Sequence, residues 1–234
     1  MKLKANLHFH SGEDPQDSIP YSLPEGIDEA SRLHFDVLAI TLHNAFGYSD
    51  EMAVYAAQKN ILLIPGMEKT IQGRHVLILN CGIDAEGITS FCALAAYRQA
   101  HPECFIIAPH PYYWIFSLWE KLEQYEDCFD AIEWSWYYSQ HFHGANDRAL
   151  AFAQKMNKPF IATSDTHRLR YLDRSFAIIE SESKDIKSVI NALRKRVFEN
   201  VSCPARLFRE ILMDQIGIAL RDEGMRVLAK LRRI

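Results

Sequence analysis

His8 and His10 sit one residue apart in "NLHFHSGED". On a strand, residues two apart point to the same face, so both imidazoles project together. One such pair is a weak signal, since histidines with satisfied hydrogen bonds are common in cores. The pattern recurs, however. His43 ends "AITLHN", Glu68 lies in "LIPGMEKT", His110 ends "IIAPH", and Asp165 and His167 stand two apart in "SDTH". Imidazoles and carboxylates that converge repel one another or stay poorly desolvated unless a cation compensates them. A mixed nitrogen and oxygen donor set suits zinc, manganese or iron better than magnesium or calcium. No cysteine accompanies these residues, which disfavours a thiolate-rich structural zinc site.

Such residues need a scaffold that gathers them. β-branched runs predict strands near 5–9, 36–42, 61–65, 74–80, 105–109, 130–134, 159–163 and 176–180. Amphipathic stretches predict helices near 24–33, 50–59, 88–99, 118–125, 145–156, 184–195 and 206–231. This alternation implies βα units around a mainly parallel sheet, and seven or eight strands in 234 residues suggest a TIM-like barrel. In such a barrel the strand ends meet on one rim. His75 begins its strand, in "QGRHVLILN", yet a hairpin turning at Gln72–Gly73 returns it to the rim beside Glu68 and predicts one antiparallel strand. The expected division is a metal-binding barrel over 1–204 and a C-terminal helical extension over 205–234, packed on the barrel or on a partner.

In order, "HFH", "ITLHN", "GMEKTIQGRH", "APHP" and "SDTH" resemble the motifs of the polymerase and histidinol phosphatase (PHP) family, over about residues 1–182. The resemblance implies an α/β fold, a distorted seven-stranded βα barrel, holding two to three divalent transition-metal ions. Carried over by position, His8, His10, Glu68 and Asp165 hold one ion. Glu68 bridges to a second, also held by His75 and His110. His43 and His167 hold a third together with an acid from "SGEDPQDSIPYS", for which Asp17 is chosen and Asp14 is the alternative. Two departures stand out: the family usually has Asp where this chain has Asn6 and Leu42. Those acids orient ligand imidazoles, a role Asn6 can share and Leu42 cannot.

The implied activity is hydrolysis of a phosphate ester, a small phosphorylated metabolite or nucleotide, by a metal-bridging hydroxide. His43, Asp165 or His167 would pass a proton to the leaving oxygen. For the cationic grip on phosphate, Arg168 is preferred over Lys69, Arg170 and Arg174. An amide hydrolase on a similar barrel, and a metal-binding scaffold without catalysis, remain as alternatives. Tyr112 and Tyr113 follow His110 closely and are candidates for a substrate cleft. The other aromatics of 112–142 are expected in core or interface.

The formal charge of -4 and pI of about 6.2 give no global argument for nucleic acid or anionic membrane as main partner. No apolar run approaches transmembrane length and no secretory signal is evident. Five scattered cysteines read as buried thiols in a reducing cytosol. An oligomer is compatible with everything above.

Overall fold

The computed structural model describes residues 1–112, 118–135, 144–202, 212–213 and 216. One sheet organises them. Its strands are β1 (Lys2–Phe9), β2 (Val37–Ile40), β3 (Leu62–Ile71), β4 (Arg74–Leu79), β5 (Phe105–Ala108), β6 (Ala131–Ser135), β7 (Phe160–Thr163), β8 (Ser175–Glu180) and β9 (Phe198–Ser202). Their order is β7-β6-β5-β4-β3-β2-β1-β8-β9. Helices α1 (Leu23–Arg32), α2 (Asp50–Gln58), α3 (Phe91–Ala100), α4 (Trp119–Gln124), α5 (Ala145–Lys155) and α6 (Ile186–Arg194) fall within a few residues of the expected spans. Their starts follow from capping: Ser22, Ser49, Ser90 and Asp185 each accept a backbone N–H of the first turn.

Among the described residues the sheet has nine strands, against the seven of the resemblance and the eight spans read from the sequence. At the mouth the expectation of seven still applies. There β1 bridges directly to the segment after β7, with Phe9 paired to Thr166 and His10 N–H donating to Thr166 O. At the other end β8 and β9 occupy the gap, β8 running antiparallel to β1 and β9 antiparallel to β8. The Asn200 side chain closes the ring from β9. It accepts from Ala162 N at 2.8 Å and donates to Phe160 O at 2.7 Å, so an amide takes the place of a backbone ladder. Antiparallel pairing is thus more extensive than one strand.

The β3–β4 hairpin forms as expected. Ile71 pairs with Arg74, and Gln72 (φ 51) and Gly73 (φ 76) both adopt left-handed backbone, the requirement of the two-residue turn that matches strand twist.

The barrel interior below the mouth is apolar, built by Leu3, Ala5, Leu7, Val37, Ala39, Ile64, Leu77, Phe105, Ile107 and Ile161 among others. Strict alternation from Leu3, Ala5 and Leu7 would send His8 and His10 outward. A bulge prevents this. Register runs Asn6–Leu38 and then Phe9–Ile40, one extra residue on β1. After it, His8 and His10 face inward and Phe9 turns out to pack under α1. Asn6 supports the bulge: its Oδ1 accepts His8 N–H at 3.1 Å, and its amide donates to Ser164 Oγ and to Leu172 O. Asn6 therefore sets the strand path and touches no imidazole ring.

Leu42 belongs to the outer apolar layer with Phe9, Ile40 and Ala56. A Cβ at Gly47 would fall 2.5 Å from Leu42 Cδ1, so the returning loop closes over this side chain. Of the cysteines, Cys81, Cys104 and Cys128 are buried free thiols as expected, but Cys92 is exposed on α3. Cys203 lies outside the described residues, as do Tyr113 and most of 205–234. No helix among the described residues is long and apolar enough to cross a membrane.

Candidate metal centre

His110 (φ 28) and Asp165 (φ 44) adopt left-handed backbone at the mouth, a conformation that bulky side chains rarely hold. Around them the strands deliver His8 and His10 from β1, His43 from just beyond β2, Glu68 from β3, His75 from β4, and the 165–167 segment beyond β7. The imidazoles of His8 and His10 are fully buried, and Glu68 is nearly so.

Four donor atoms converge most tightly. His8 Nε2 and His10 Nε2 are 3.1 Å apart. Glu68 Oε2 lies 3.3 and 3.2 Å from them, and Asp165 Oδ1 lies 3.3 and 3.4 Å from them. A regular tetrahedron with such edges has its centre about 2.0 Å from each corner, the bond length of tetrahedral zinc to nitrogen and oxygen. Asp165 Oδ1 is also buried without a well-formed hydrogen bond. This donor set fits a transition-metal cation.

Glu68 divides its two oxygens. Oε2 faces the four-atom cage and also His43 Nε2 at 2.9 Å. Oε1 faces away, 2.8 Å from His75 Nδ1 and 3.0 Å from His110 Nε2. One carboxylate is therefore shared between two neighbouring donor groups, the arrangement of a bridging ligand.

Comparison with known proteins bears on the fold. Residues 143–198 match the family model described as PHP-associated. The fold is similar to a two-domain protein from Bacteroides vulgatus ATCC 8482 containing a predicted PHP-like metal-dependent phosphoesterase. Identity there is 20% over 86% of this chain and 65% of that one, with a TM-score of 0.66. PsfC from Pseudomonas syringae PB-5123 matches at 13% identity over 93% and 98% of the two chains, TM-score 0.65. The lesion-specific endonuclease PfuEndoQ from Pyrococcus furiosus matches at 14% over 88% and 60%, TM-score 0.63. This is a PHP-type barrel. The chain spans just under two thirds of the Bacteroides protein's length and less of the endonuclease's. The comparison with curated proteins found no match.

In this PHP-type barrel the third donor group is arranged differently from expectation. His43 and His167 do approach, and His10 joins them: its ring centroid lies 4.5 Å from that of His43 and 4.4 Å from that of His167. Asp17 Oδ2 stands 2.8 Å from His167 Nε2 and 3.9 Å from His43 Nδ1. Asp14 is saturated instead. It accepts from His10 Nδ1 at 3.0 Å, from His43 Nδ1 at 2.9 Å, and from the backbone N–H groups of Gln16, Asp17 and His43. Burial would raise its pKa, but these bonds to His10 and His43 hold it far below the usual carboxylate range. Asp14 therefore supplies His43 with the orienting acid that position 42 lacks.

Electrostatics of the ring follow one pattern. Burial lowers the His8 pKa, yet the charges of Asp165, Glu68 and Glu133 overcome it and raise it to about 10. His167 is raised to about 9, mainly by Asp165 against burial. Glu68 and Asp165 are driven well down by the surrounding imidazoles despite burial. Burial and its cationic neighbours leave His75 below its ordinary value.

Glu133 was not singled out from the sequence. It is fully buried on β6, its Oε1 2.8 Å from His8 Nδ1 and its Oε2 2.6 Å from His110 N. The available signal was one acid inside the apolar strand "AIEWS". Among the cations, Lys69 donates to Glu86 O at 2.8 Å and Arg170 to the Tyr171 hydroxyl at 2.6 Å. Arg168 is half buried beside His167; its carbonyl accepts from Tyr171 N, and its side chain has no hydrogen bond or ion pair among the described residues. Tyr112 packs against the outer core with Arg148 over its ring at 4.5 Å, so it serves packing rather than the cleft.

Proposed function

We propose that the chain is a metal-dependent phosphoesterase acting on a small phosphorylated metabolite or nucleotide. The observation that carries this reading is the division of the Glu68 carboxylate between two donor groups. A shared carboxylate places two cations side by side, the arrangement suited to in-line displacement at phosphorus. His8, His10, Glu68 and Asp165 would hold the first ion. Glu68, His75 and His110 would hold the second. The group of His43, His167 and Asp17 is the place for a third. When bound, the ions supply an acidified water and neutralise charge on the phosphoryl oxygens.

The chain's own residues do the rest. Asp14 fixes His10 and His43 through Nδ1, leaving Nε2 of each directed into the centre. While the third group holds no ion, His167 keeps a proton at Nε2 against Asp17 Oδ2, 2.8 Å away. His167 and Asp17 are the more exposed members of the ring, at 21% and 30%, and so can pass that proton to a leaving oxygen. His43 and Asp165 are enclosed in the donor network. Arg168 would grip a non-reacting phosphoryl oxygen.

The test is turnover by the protein loaded with manganese, zinc or iron, against aryl phosphate mono- and diesters. Hydrolysis that disappears on chelation and in Glu68→Gln supports the reading. Absence of phosphate turnover with every metal, or hydrolysis of amides alone, sinks it.

A further inference from the structure

Glu133 is a fully buried carboxylate at the barrel mouth that joins none of the clustered donor groups among the described residues. It lies on β6 with its side chain inside the ring, one layer beneath the donors. Its contacts reach β1, β7 and the segment just beyond β5. Oε1 accepts from His8 Nδ1 at 2.8 Å and from the Thr163 hydroxyl, and Oε2 accepts from His110 N at 2.6 Å. His8 belongs to the first proposed ion position and His110 to the second.

From this geometry we infer that Glu133 is a positioning residue serving both ion positions at once. The inference rests on the reading of His8 and His110 as metal ligands. Neutral imidazole carries one proton, and a ligand nitrogen must be the bare one. With Nδ1–H committed to Glu133, the lone pair of His8 is at Nε2, the atom facing Glu68 and Asp165. The other oxygen anchors the His110 amide, whose residue holds φ 28, a conformation that persists only where its surroundings over-determine it. That amide bond keeps His110 Nε2 aimed at Glu68 Oε1. Thr163 takes the second acceptor direction of Oε1 and fixes the carboxylate's rotation.

A side-chain amide cannot substitute. In Glu133→Gln one end still accepts, but the other presents N–H either to His8 Nδ1 or to His110 N–H. The first choice forces His8 into the tautomer protonated at Nε2, and the second releases the His110 turn. Either way one ion position is lost while the apolar barrel beneath remains.

The experiment has two arms. The wild-type chain, labelled with 15N at histidine, is titrated with zinc, and ring nitrogen shifts report the His8 tautomer. The inference expects Nδ1–H with Nε2 bound to metal; Nε2–H, or metal at Nδ1, overturns it. In the second arm, zinc affinity and stoichiometry of Glu133→Gln are compared with wild type by chelator competition. A loss of about 10–100-fold at one site with an unchanged circular dichroism spectrum supports the inference. Wild-type affinity and stoichiometry in a folded variant overturn it. If the variant does not fold, the tautomer arm decides. Failure of wild type to bind zinc at all counts against the metal reading itself, a result distinct from binding that is indifferent to Glu133.

Discussion

Glu68 Oε1 and His75 Nδ1 are 2.8 Å apart on the same face of the β3–β4 hairpin. The contact depends on a chain reversal at Gln72–Gly73, because a longer loop would let β4 slide and turn His75 away. Gly73 has open space around the position of a Cβ, so substitution there meets no clash and strains only the backbone at φ 76. Gly73→Val is expected to lose about 1–2 kcal/mol of stability and to weaken binding of the second metal ion more than the first. Thermal melts with and without zinc read both effects. An unchanged melting temperature would show that the turn does not set the register.

Asn6 tests the bulge on β1. The related motifs carry Asp here, and an Asp would still accept His8 N–H. It could no longer donate to Leu172 O, whose lone pairs sit 3.3 Å from the Asn6 amide in a fully buried position. Asn6→Asp is therefore expected to destabilise this chain by about 1–3 kcal/mol, the cost of placing acceptor against acceptor without water. Chemical denaturation measures it. A stabilised Asn6→Asp variant would mean that the bulge tolerates a carboxylate and that Asn6 is not tuned to its surroundings.

Asp14 and Asp17 are three residues apart and have opposite expected phenotypes. Asp14 is buried under five donors, two of them imidazole Nδ1 atoms, whereas Asp17 is partly exposed with His167 as its short contact. Asp14→Asn sets its NH2 either against the Nδ1 atoms of both His10 and His43 or against the N–H groups of Gln16 and Asp17, and is expected to weaken the first ion by about 10–100-fold. Asp17→Asn leaves the His8, His10, Glu68 and Asp165 cage untouched. It should keep first-ion affinity while lowering kcat. Zinc competition and steady-state kinetics on the two variants separate the roles; equal metal loss in both contradicts the assignment.

Arg168 follows His167 directly and stands half buried, its side chain without a partner among the described residues, while Lys69 and Arg170 are already engaged. A guanidinium used for phosphate contributes mainly to binding. Arg168→Ala is expected to raise KM for a phosphate ester by about 10–100-fold, with a smaller change in kcat. Arg168→Lys should recover part of the loss. A KM that does not move would return Arg168 to the surface charges.

The sequence disclosed the donors better than what holds them. Five short motifs carried His8, His43, Glu68, His110 and Asp165 to one rim, since each ends a hydrophobic run whose period betrays its strand. His75 was recoverable because Gln72–Gly73 left room for a two-residue turn. The supporting groups gave weaker signals. Glu133 looks like one polar residue in a buried strand, and Asp14 like an ordinary turn acid. The bulge at Leu7–His8 is invisible to any period of two, because the extra residue shows only in the partner's register. Of the two strands beyond the barrel's seven, β8 matches the span expected near 176–180, whereas β9 was not among the expected strands; it joins at the end opposite the motifs.

The metal-free ring stores protons that a cation must displace. His8 is raised from 6.5 to about 10, and His10 also lies well above its ordinary value, each held up against burial by neighbouring carboxylates. Raised imidazole values stabilise the metal-free fold fully below about pH 6.5, and this contribution fades as pH climbs through about 10. Metal binding opposes the same protons, so its apparent affinity should run the other way, rising steadily from pH 6.5 to 8.5. Near pH 7.5 each first ion is expected to release about one to two protons, from His8 and His10, because Asp165 and Glu68 are already ionised. Calorimetric titration with zinc in two buffers of different ionisation enthalpy counts them. An affinity independent of pH over that range, with no proton release, would show that His8 and His10 are neutral before the ion arrives.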